Sequence, residues 1–148
     1  MFEIVSDIEI GATPEKIWEV LTDFPSFPDW NPFVRYIEGS LRKGEKLRVT
    51  IHPPGGSEMT FEPTVLKADP GRELRWRGRV LMPGLFDGEH YFQVTETSPG
   101  LCRLVHGERF SGLLVPLFRK QLDSSTRAGF VAMNRAMKKR LIGATPHA

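Results

Sequence analysis

The sequence has one cysteine, Cys102, and no long hydrophobic run. A single thiol cannot form an internal disulfide, which agrees with a reducing, cytoplasmic location. No apolar stretch approaches the roughly 20 residues of a membrane-spanning helix, so we expect no stable membrane insertion. The first ten residues, MFEIVSDIEI, include acidic residues and no basic segment. We therefore expect no secretory signal.

Several common functional patterns are also missing. The sequence has no Gly-rich phosphate loop, no Ser-His-Asp order and no Cys-His nucleophile pattern. The charges nearly cancel, with 20 Lys and Arg against 18 Asp and Glu. The basic clusters at 72–79 and 138–140 lack interleaved aromatic residues, so we predict no nucleic-acid partner. Cys102 has no neighbour in sequence that would activate it, and we expect it to be a small buried hydrophobic residue.

The C-terminal part contains the only long helical pattern. Apolar and small residues recur there at three- and four-residue steps between Val115 and Leu141, so they share one face of a helix. That face consists of Phe118, Leu122, Ser125, Gly129, Ala132, Met133, Ala136 and Met137. A helix of about 25 residues is roughly 37 Å long, which is enough to cross a small domain.

Most of the preceding chain alternates between apolar and polar residues, as strands do. Seven strands are predicted, over residues 2–10, 34–40, 47–51, 59–65, 74–82, 86–95 and 101–111. Pro63 indicates a bulge or an edge position in the fourth of them. Two short helices are expected after the first strand, one after Thr13-Pro14 and one within the Pro- and Phe-rich segment 24–33.

Strands and the long helix are segregated along the chain, so the predicted class is α+β. We expect a curved antiparallel sheet of about seven strands, with two short helices after strand 1 and a long C-terminal helix packed across it. The length of 148 residues suits one domain. We predict that this domain spans residues 1–142 and that residues 143–148 form a tail.

Four phrases of the sequence carry a resemblance to a known family. They are IGATPEKIWEVLTDFPSFPDWNPF, DGEHYFQV, RLVHGERFSGLLVPLF and GFVAMNRAMKKRL, and together with the element order they cover nearly the whole chain. The chain resembles the START-like or SRPBCC superfamily, with the helix-grip fold of the birch-pollen allergen and of the polyketide cyclase/dehydrase-like group. Members of this superfamily include carriers, cyclases and co-chaperones, and a shared fold does not carry a shared function.

The resemblance implies an apolar cavity between the sheet and the C-terminal helix. Small residues and adaptable methionines on the inner helix face are compatible with it, although they would also suit close packing. The residues expected to line the cavity are Trp30, Phe33, Met59, Phe61, Trp76, His90, Phe92, His106, Glu108, Phe110, Gly129, Met133 and Met137. The expected ligand is a small hydrophobic molecule that is lipid-, polyketide- or aromatic-like.

The predicted hairpin 86–111 carries the most reactive residues. With a turn at Ser98-Pro99-Gly100, His90 lies opposite Glu108 and Phe92 lies opposite His106 on the inner face, whereas a shorter turn pairs His90 with His106. A buried His–Glu pair serves either as a structural contact, as a group that orients a ligand, or as an acid–base pair. His90, Glu108 and His106 are therefore the candidate catalytic residues. Two His and one Glu also invite a metal site, but their spacing is not diagnostic, and we predict neither a metal nor another cofactor.

Three functional hypotheses follow. The first is a carrier that binds a small hydrophobic ligand, with His90, His106 and Glu108 orienting it. The second is a polyketide cyclase/dehydrase-type enzyme in which the same residues move protons. The third is a protein-interaction module that regulates a partner through its surface. We expect a monomer or a weak homodimer.

Overall fold

The computed structural model describes residues 2–80 and 84–143. Its eight described strands are β1 (Phe2–Ile10), β2 (Val34–Gly39), β3 (Leu47–Ile51), β4 (Met59–Phe61), β5 (Thr64–Asp69), β6 (Glu73–Val80), β7 (Phe86–Ser98) and β8 (Leu101–Ser111). Its helices are α1 (Pro14–Thr22), a 3-10 turn (Phe24–Ser26), α2 (Phe27–Trp30), α3 (Val115–Gln121), a π-helical segment (Leu122–Thr126) and α4 (Arg127–Ile142). The predicted α+β helix-grip architecture is confirmed.

The strands form two antiparallel sheets, a five-stranded one in the order β1-β8-β7-β6-β5 and a three-stranded one in the order β2-β3-β4. The prediction of one strand over 59–65 is wrong, because the chain leaves the ladder at Glu62-Pro63. Proline has no N–H to donate, which interrupts the pairing. The chain before β3 connects the two sheets: Val65 N donates to Glu45 O at 2.8 Å and Leu47 N to Pro63 O at 2.9 Å. The sheets thus continue one curved surface.

The two short helices after β1 are present as predicted. Thr13 caps α1, since its Oγ1 accepts a hydrogen bond from Lys16 N at 3.3 Å, and Pro14 occupies the first turn. The segment 24–33 folds into the 3-10 turn and α2, and its Phe27 is buried. Asn31 ends this segment, because its Oδ1 accepts from the N–H groups of Phe33 and Val34.

The long helix is helical from Val115 to Ile142, but it is not one regular α-helix. The π-helical segment at 122–126 places an extra residue in one turn between α3 and α4. Met133 and Met137, which belong to the predicted inner face of the helix, lie on α4 and are fully buried. Phe118, expected on the inner face, is 43% exposed on α3. Its ring packs edge-on against Phe86, the first residue of β7, with the centroids 6.0 Å apart.

None of the described helices is long and apolar enough to span a membrane. Leu81 and Met82, the last two residues of the strand predicted over 74–82, lie outside the described residues, as does most of the expected tail. The division into a domain over 1–142 and a tail over 143–148 stays a prediction.

Candidate functional site

The β7–β8 hairpin has the register that its turn predicts. His90 pairs with Glu108 and Phe92 pairs with His106. The register shifts only beside the turn, at a bulge between Glu96 and Ser98. The inner face of the hairpin therefore carries two histidines and a carboxylate in adjacent positions.

The His90 ring reaches both of its expected alternative partners at once. Its Nδ1 lies 3.2 Å from Glu108 Oε1, and its Nε2 lies 2.8 Å from His106 Nε2. The Glu108 contact runs directly across the strands, whereas the His106 contact is diagonal. The three side chains form one continuous hydrogen-bonded group.

Aromatic rings enclose the two histidines. Trp76, on β6, stacks on His90 with ring centroids 5.0 Å apart, and the Phe130 ring lies 4.1 Å from His106 and nearly parallel to it. Phe92 contacts both imidazoles, at 5.0 and 4.3 Å. His106 is fully buried and His90 is 4% exposed. Polar groups in such a place need hydrogen-bond partners to offset the loss of water.

Two of those partners were not foreseen from the sequence. Asn134, on α4, is buried and its Oδ1 lies 2.9 Å from His106 Nδ1. Asn134 Nδ2 donates to Ser6 Oγ on β1 at 2.9 Å, and Ser6 Oγ donates to the His106 carbonyl oxygen at 2.8 Å. Phe130 was also missed. The 3-1-3 spacing of Phe130, Met133, Asn134 and Met137 is the helical signal that marks them as one buried face.

Burial holds the pKa of His106 well below its usual range, and the nearby His90 acts in the same direction. The groups that face it are His90 from β7, Asn134 from α4 and Ser6 from β1, with Glu108 beyond His90. Asn134, whose side chain hydrogen-bonds to the ring, favours protonation, but less than burial opposes it. His106 is therefore neutral in the folded protein near pH 7.

This lowered pKa predicts a loss of stability in mild acid. The unfolded chain protonates His106 below about pH 6.5, whereas the native chain does not until the pH is much lower. The unfolded state then binds more protons, so the free energy of unfolding falls as the pH is lowered from about 6.5 to 4.5, by up to about 1.4 kcal/mol per pH unit from this group. Urea denaturation at several pH values measures it.

His106→Gln is the matched control for this pH dependence, because glutamine keeps a donor and an acceptor but has no proton to gain. We expect the wild-type slope between pH 6.5 and 4.5 to exceed that of the variant. Equal slopes would contradict a neutral buried His106.

The expected open cavity around the histidines is not present among the described residues, which corrects the prediction. The predicted lining residues there are packed against one another instead, and at most 4% of each is exposed. They are Trp76, His90, Phe92, His106, Phe110, Met133 and Met137. The Phe130 ring packs against both imidazoles and the Phe33 ring packs over Gly129, so the alternative of close packing describes this part of the molecule.

The inner face opens at the other end of the hairpin. Glu108, although it points to the inner side of the sheet, has an 18% exposed side chain. Met59 is 48% exposed, and Phe61 is half-buried against Gly78. Gly78 pairs with Gly88, over which the Glu108 carboxylate lies. The two adjacent glycines thus let the Phe61 ring and the Glu108 carboxylate lie directly on the sheet.

Aromatic and aliphatic side chains complete this region, which we call the open end. Phe86 contacts Phe110 at 6.1 Å and Phe118 at 6.0 Å between ring centroids. Leu122, on the π-helical segment four residues after Phe118, is half-buried against the core. We define the open end as Met59, Phe61, Phe86, Glu108, Phe118 and Leu122. Three predicted site residues, Met59, Phe61 and Glu108, belong to it.

Two predicted residues lie elsewhere, at a cleft between the Pro-rich segment and α4. Phe33 packs directly over Gly129, and both line a cleft of about 300 Å³ that also includes residues 32, 52–55 and 132. Trp30 is half-buried and packs edge-on to Phe27 at 5.2 Å between centroids. The Phe33 and Phe130 rings, 5.6 Å apart, separate this cleft from the histidines.

A groove of about 510 Å³ also runs along the solvent-facing side of the π-helical segment and α4, and does not include the histidines. Cys102 is buried as predicted, and burial raises the pKa of its thiol. It therefore lacks the thiolate character of a nucleophile.

The chain is similar to known proteins in sequence and in fold. A family model described as "polyketide cyclase / dehydrase and lipid transport" matches residues 1–141. The chain belongs to this family. Its place in the START-like superfamily is thereby confirmed. A search of curated proteins finds no match.

Solved structures superpose on the chain at low sequence identity. The Zhui aromatase/cyclase from Streptomyces sp. R1128 is 17% identical with a TM-score of 0.78, and the match covers 95% of this chain and 93% of that one. A START superfamily protein from Mycobacterium smegmatis is 20% identical with a TM-score of 0.73, covering 97% and 99%. These similarities show the shared fold.

The di-domain aromatase/cyclase BexL of the BE-7585A biosynthetic pathway is 14% identical with a TM-score of 0.72. The match covers 93% of this chain and 47% of BexL, so the chain spans about half the length of that relative.

Proposed function

We propose that the protein binds a small hydrophobic molecule at the open end of the sheet, with the Glu108–His90 pair facing the polar part of that molecule. The observation that carries the proposal is an accessible carboxylate beside an aromatic side chain at one end of the inner face. Glu108 is 18% exposed on its side chain and hydrogen-bonded to a buried histidine, and the half-buried Phe61 ring covers Gly78, which pairs with the glycine beneath the Glu108 carboxylate.

The apolar surroundings supply affinity. Met59 and Phe118, two residues of the open end, leave 48% and 43% of their surface exposed. Covering such surface with an apolar ligand gains roughly 25 cal/mol per Å². The Phe61 ring covers Gly78 and the Glu108 carboxylate covers Gly88, so a ligand at the open end contacts an aromatic ring beside a carboxylate.

The first test compares the protein purified from its own host by native mass spectrometry before and after organic extraction. We expect a hydrophobic adduct that extraction removes. Met59→Asp should lower the occupancy of this adduct by at least about tenfold, since a charge at an apolar contact costs more than 1.4 kcal/mol.

Val5→Asp is the matched control, because Val5 is also a strand residue with 44% exposure but lies on β1, away from the open end. The control should retain the adduct. A bare wild-type protein would contradict the proposal, as would equal loss in both variants. A bare protein that instead brings down a macromolecular partner would favour the interaction-module hypothesis.

A second function, cyclase/dehydrase-type acid–base catalysis, is favoured by one specific observation. Glu108 and His90 are two ionisable groups in hydrogen-bond contact at 3.2 Å, and one of them is accessible from the open end. Such a pair can deliver a proton to a bound carbonyl oxygen. Glu108→Gln separates the two functions. The variant keeps its ligand in both cases, but only an enzyme loses turnover.

A further inference from the structure

Five side chains form one hydrogen-bonded chain through the core. It runs from Ser6 on β1 to Asn134 on α4, to His106 on β8, to His90 on β7 and to Glu108 on β8. The successive contacts are 2.9, 2.9, 2.8 and 3.2 Å long. The chain thus joins three strands and the long helix, and it ends at the open end.

The direction of every hydrogen bond in this chain follows from its first member. Ser6 Oγ donates its only hydrogen to the His106 carbonyl oxygen, which can only accept. Ser6 Oγ must then accept from Asn134, whose Nδ2 donates to it. The Asn134 amide is oriented by this contact, so its Oδ1, an acceptor only, faces His106 Nδ1. His106 must carry its hydrogen on Nδ1.

A neutral His106 with its hydrogen on Nδ1 has a lone pair on Nε2. Nε2 lies 2.8 Å from His90 Nε2, so His90 must donate across that contact. The other His90 nitrogen, Nδ1, faces Glu108 Oε1. If His90 had no second hydrogen and Glu108 were ionised, two lone pairs would face each other there. One proton must therefore lie between Nδ1 and Oε1.

We infer that Ser6 and Asn134 are positioning residues that keep two protons on the His90–Glu108 pair, one on His90 Nε2 and one between His90 Nδ1 and Glu108 Oε1, at the edge of the ligand site. Neither residue approaches the open end. They act through the His106 ring, by fixing which of its nitrogens is protonated. The pair presents a held proton to the site, which suits a hydrophobic ligand with an acceptor oxygen such as a carbonyl.

This role for the ligand rests on the proposed function, whereas the placement of the proton can be tested without a ligand. The polypeptide has four histidines, at 52, 90, 106 and 147. Long-range proton–nitrogen correlation spectra of the ¹⁵N-labelled protein near pH 7 distinguish protonated from unprotonated ring nitrogens. His90→Gln and His106→Gln variants assign the two buried rings.

In the wild-type protein we expect the Nδ1–H form of His106 to exceed the Nε2–H form by at least about tenfold, the ratio set by one buried hydrogen bond. We expect His90 Nε2 to carry a hydrogen. A wild-type His106 in the Nε2–H form would overturn the inference.

Asn134→Leu is the decisive variant, because leucine has a similar shape and offers no acceptor to His106 Nδ1. We expect His106 to change to the Nε2–H form. His90 Nε2 must then accept, so its hydrogen moves to Nδ1, where it is donated to the Glu108 carboxylate. The pair then holds one proton in place of two, so His90 Nε2 has no hydrogen while the contact between Nδ1 and Oε1 keeps its proton. A spectrum identical to the wild type would show that Asn134 does not position the proton.

Two further variants separate positioning from folding. Met133→Leu changes a fully buried neighbour on α4 that is not in the hydrogen-bonded chain, and it should leave all ring nitrogens unchanged. Ser6→Ala removes the anchor of the Asn134 amide, so both forms of His106 should become populated. It provides the test if Asn134→Leu does not fold. A folded Ser6→Ala protein with the wild-type form alone would overturn the role of Ser6.

The two proposals fail in distinguishable ways. If native mass spectrometry finds no adduct but the ring protonation is as expected, the ligand-binding proposal fails and the positioning role of Ser6 and Asn134 stands. If the adduct is found but Asn134→Leu keeps the wild-type ring protonation, the ligand-binding proposal stands and the positioning role fails.

Discussion

Phe130→Ala is expected to lower the free energy of unfolding by about 3–5 kcal/mol, the range for truncating a large buried aromatic side chain. Phe130 is fully buried and contacts three rings, those of Phe33, His90 and His106. Its removal leaves a cavity and also takes away the apolar cover of the histidines. Urea denaturation followed by tryptophan fluorescence measures the change.

Phe118→Ala is the matched control on the same continuous helix. Phe118 is 43% exposed, and its described aromatic contact is with Phe86. We expect it to cost about 1 kcal/mol or less. If both variants lost the same stability, the packing of Phe130 between cleft and histidines would not be what holds α4 on the sheet.

Gly107→Ala is the second substitution for which we expect a large effect, about 3 kcal/mol of lost stability. A methyl group at this position would lie 2.9 Å from the Ile4 carbonyl oxygen and even closer to Tyr91 Oη. Tyr91 Oη donates to Glu3 Oε2 at 2.6 Å. Burial and this hydrogen bond raise the pKa of Tyr91 to about 12. The added methyl group must displace the phenol from Glu3 or push β1 away from β8.

Gly11→Ala controls for the loss of glycine as such. No atom lies within 4 Å of a Cβ placed there, so we expect a change within about 0.5 kcal/mol. Combining Gly107→Ala with Tyr91→Phe in a double-mutant cycle separates the phenol contact from pressure on the backbone. A Gly107→Ala protein as stable as the wild type would show that the two strands can separate locally.

The hairpin register was predictable from the sequence because local signals determine it. Alternation over 86–95 and 101–111, together with the Ser98-Pro99-Gly100 turn, leaves few ways to pair the strands. His90 then lies opposite Glu108 by counting alone. The fold class followed for the same reason, since each strand and the long helix has its own periodicity.

The polar network was only half predictable, because its remaining members are far apart in sequence. Ser6 and Asn134 are 128 residues apart, and nothing near either indicates the other. An asparagine among basic residues also resembles the solvent-facing side of a helix. The state of the cavity depends on how one ring, Phe130, packs, which periodicity does not specify.

The π-helical segment between α3 and α4 has a consequence for sequence comparison. Each residue of an α-helix turns the chain by about 100°, so the single extra residue of the π turn decides which side of α3 faces the sheet. Deleting one residue anywhere between 122 and 126 would restore a regular helix and rotate α3, which carries Phe118, by about 100° relative to α4. Relatives that align without a gap across these five positions are therefore expected to share the open end, and those with a one-residue deletion are expected to have reshaped it.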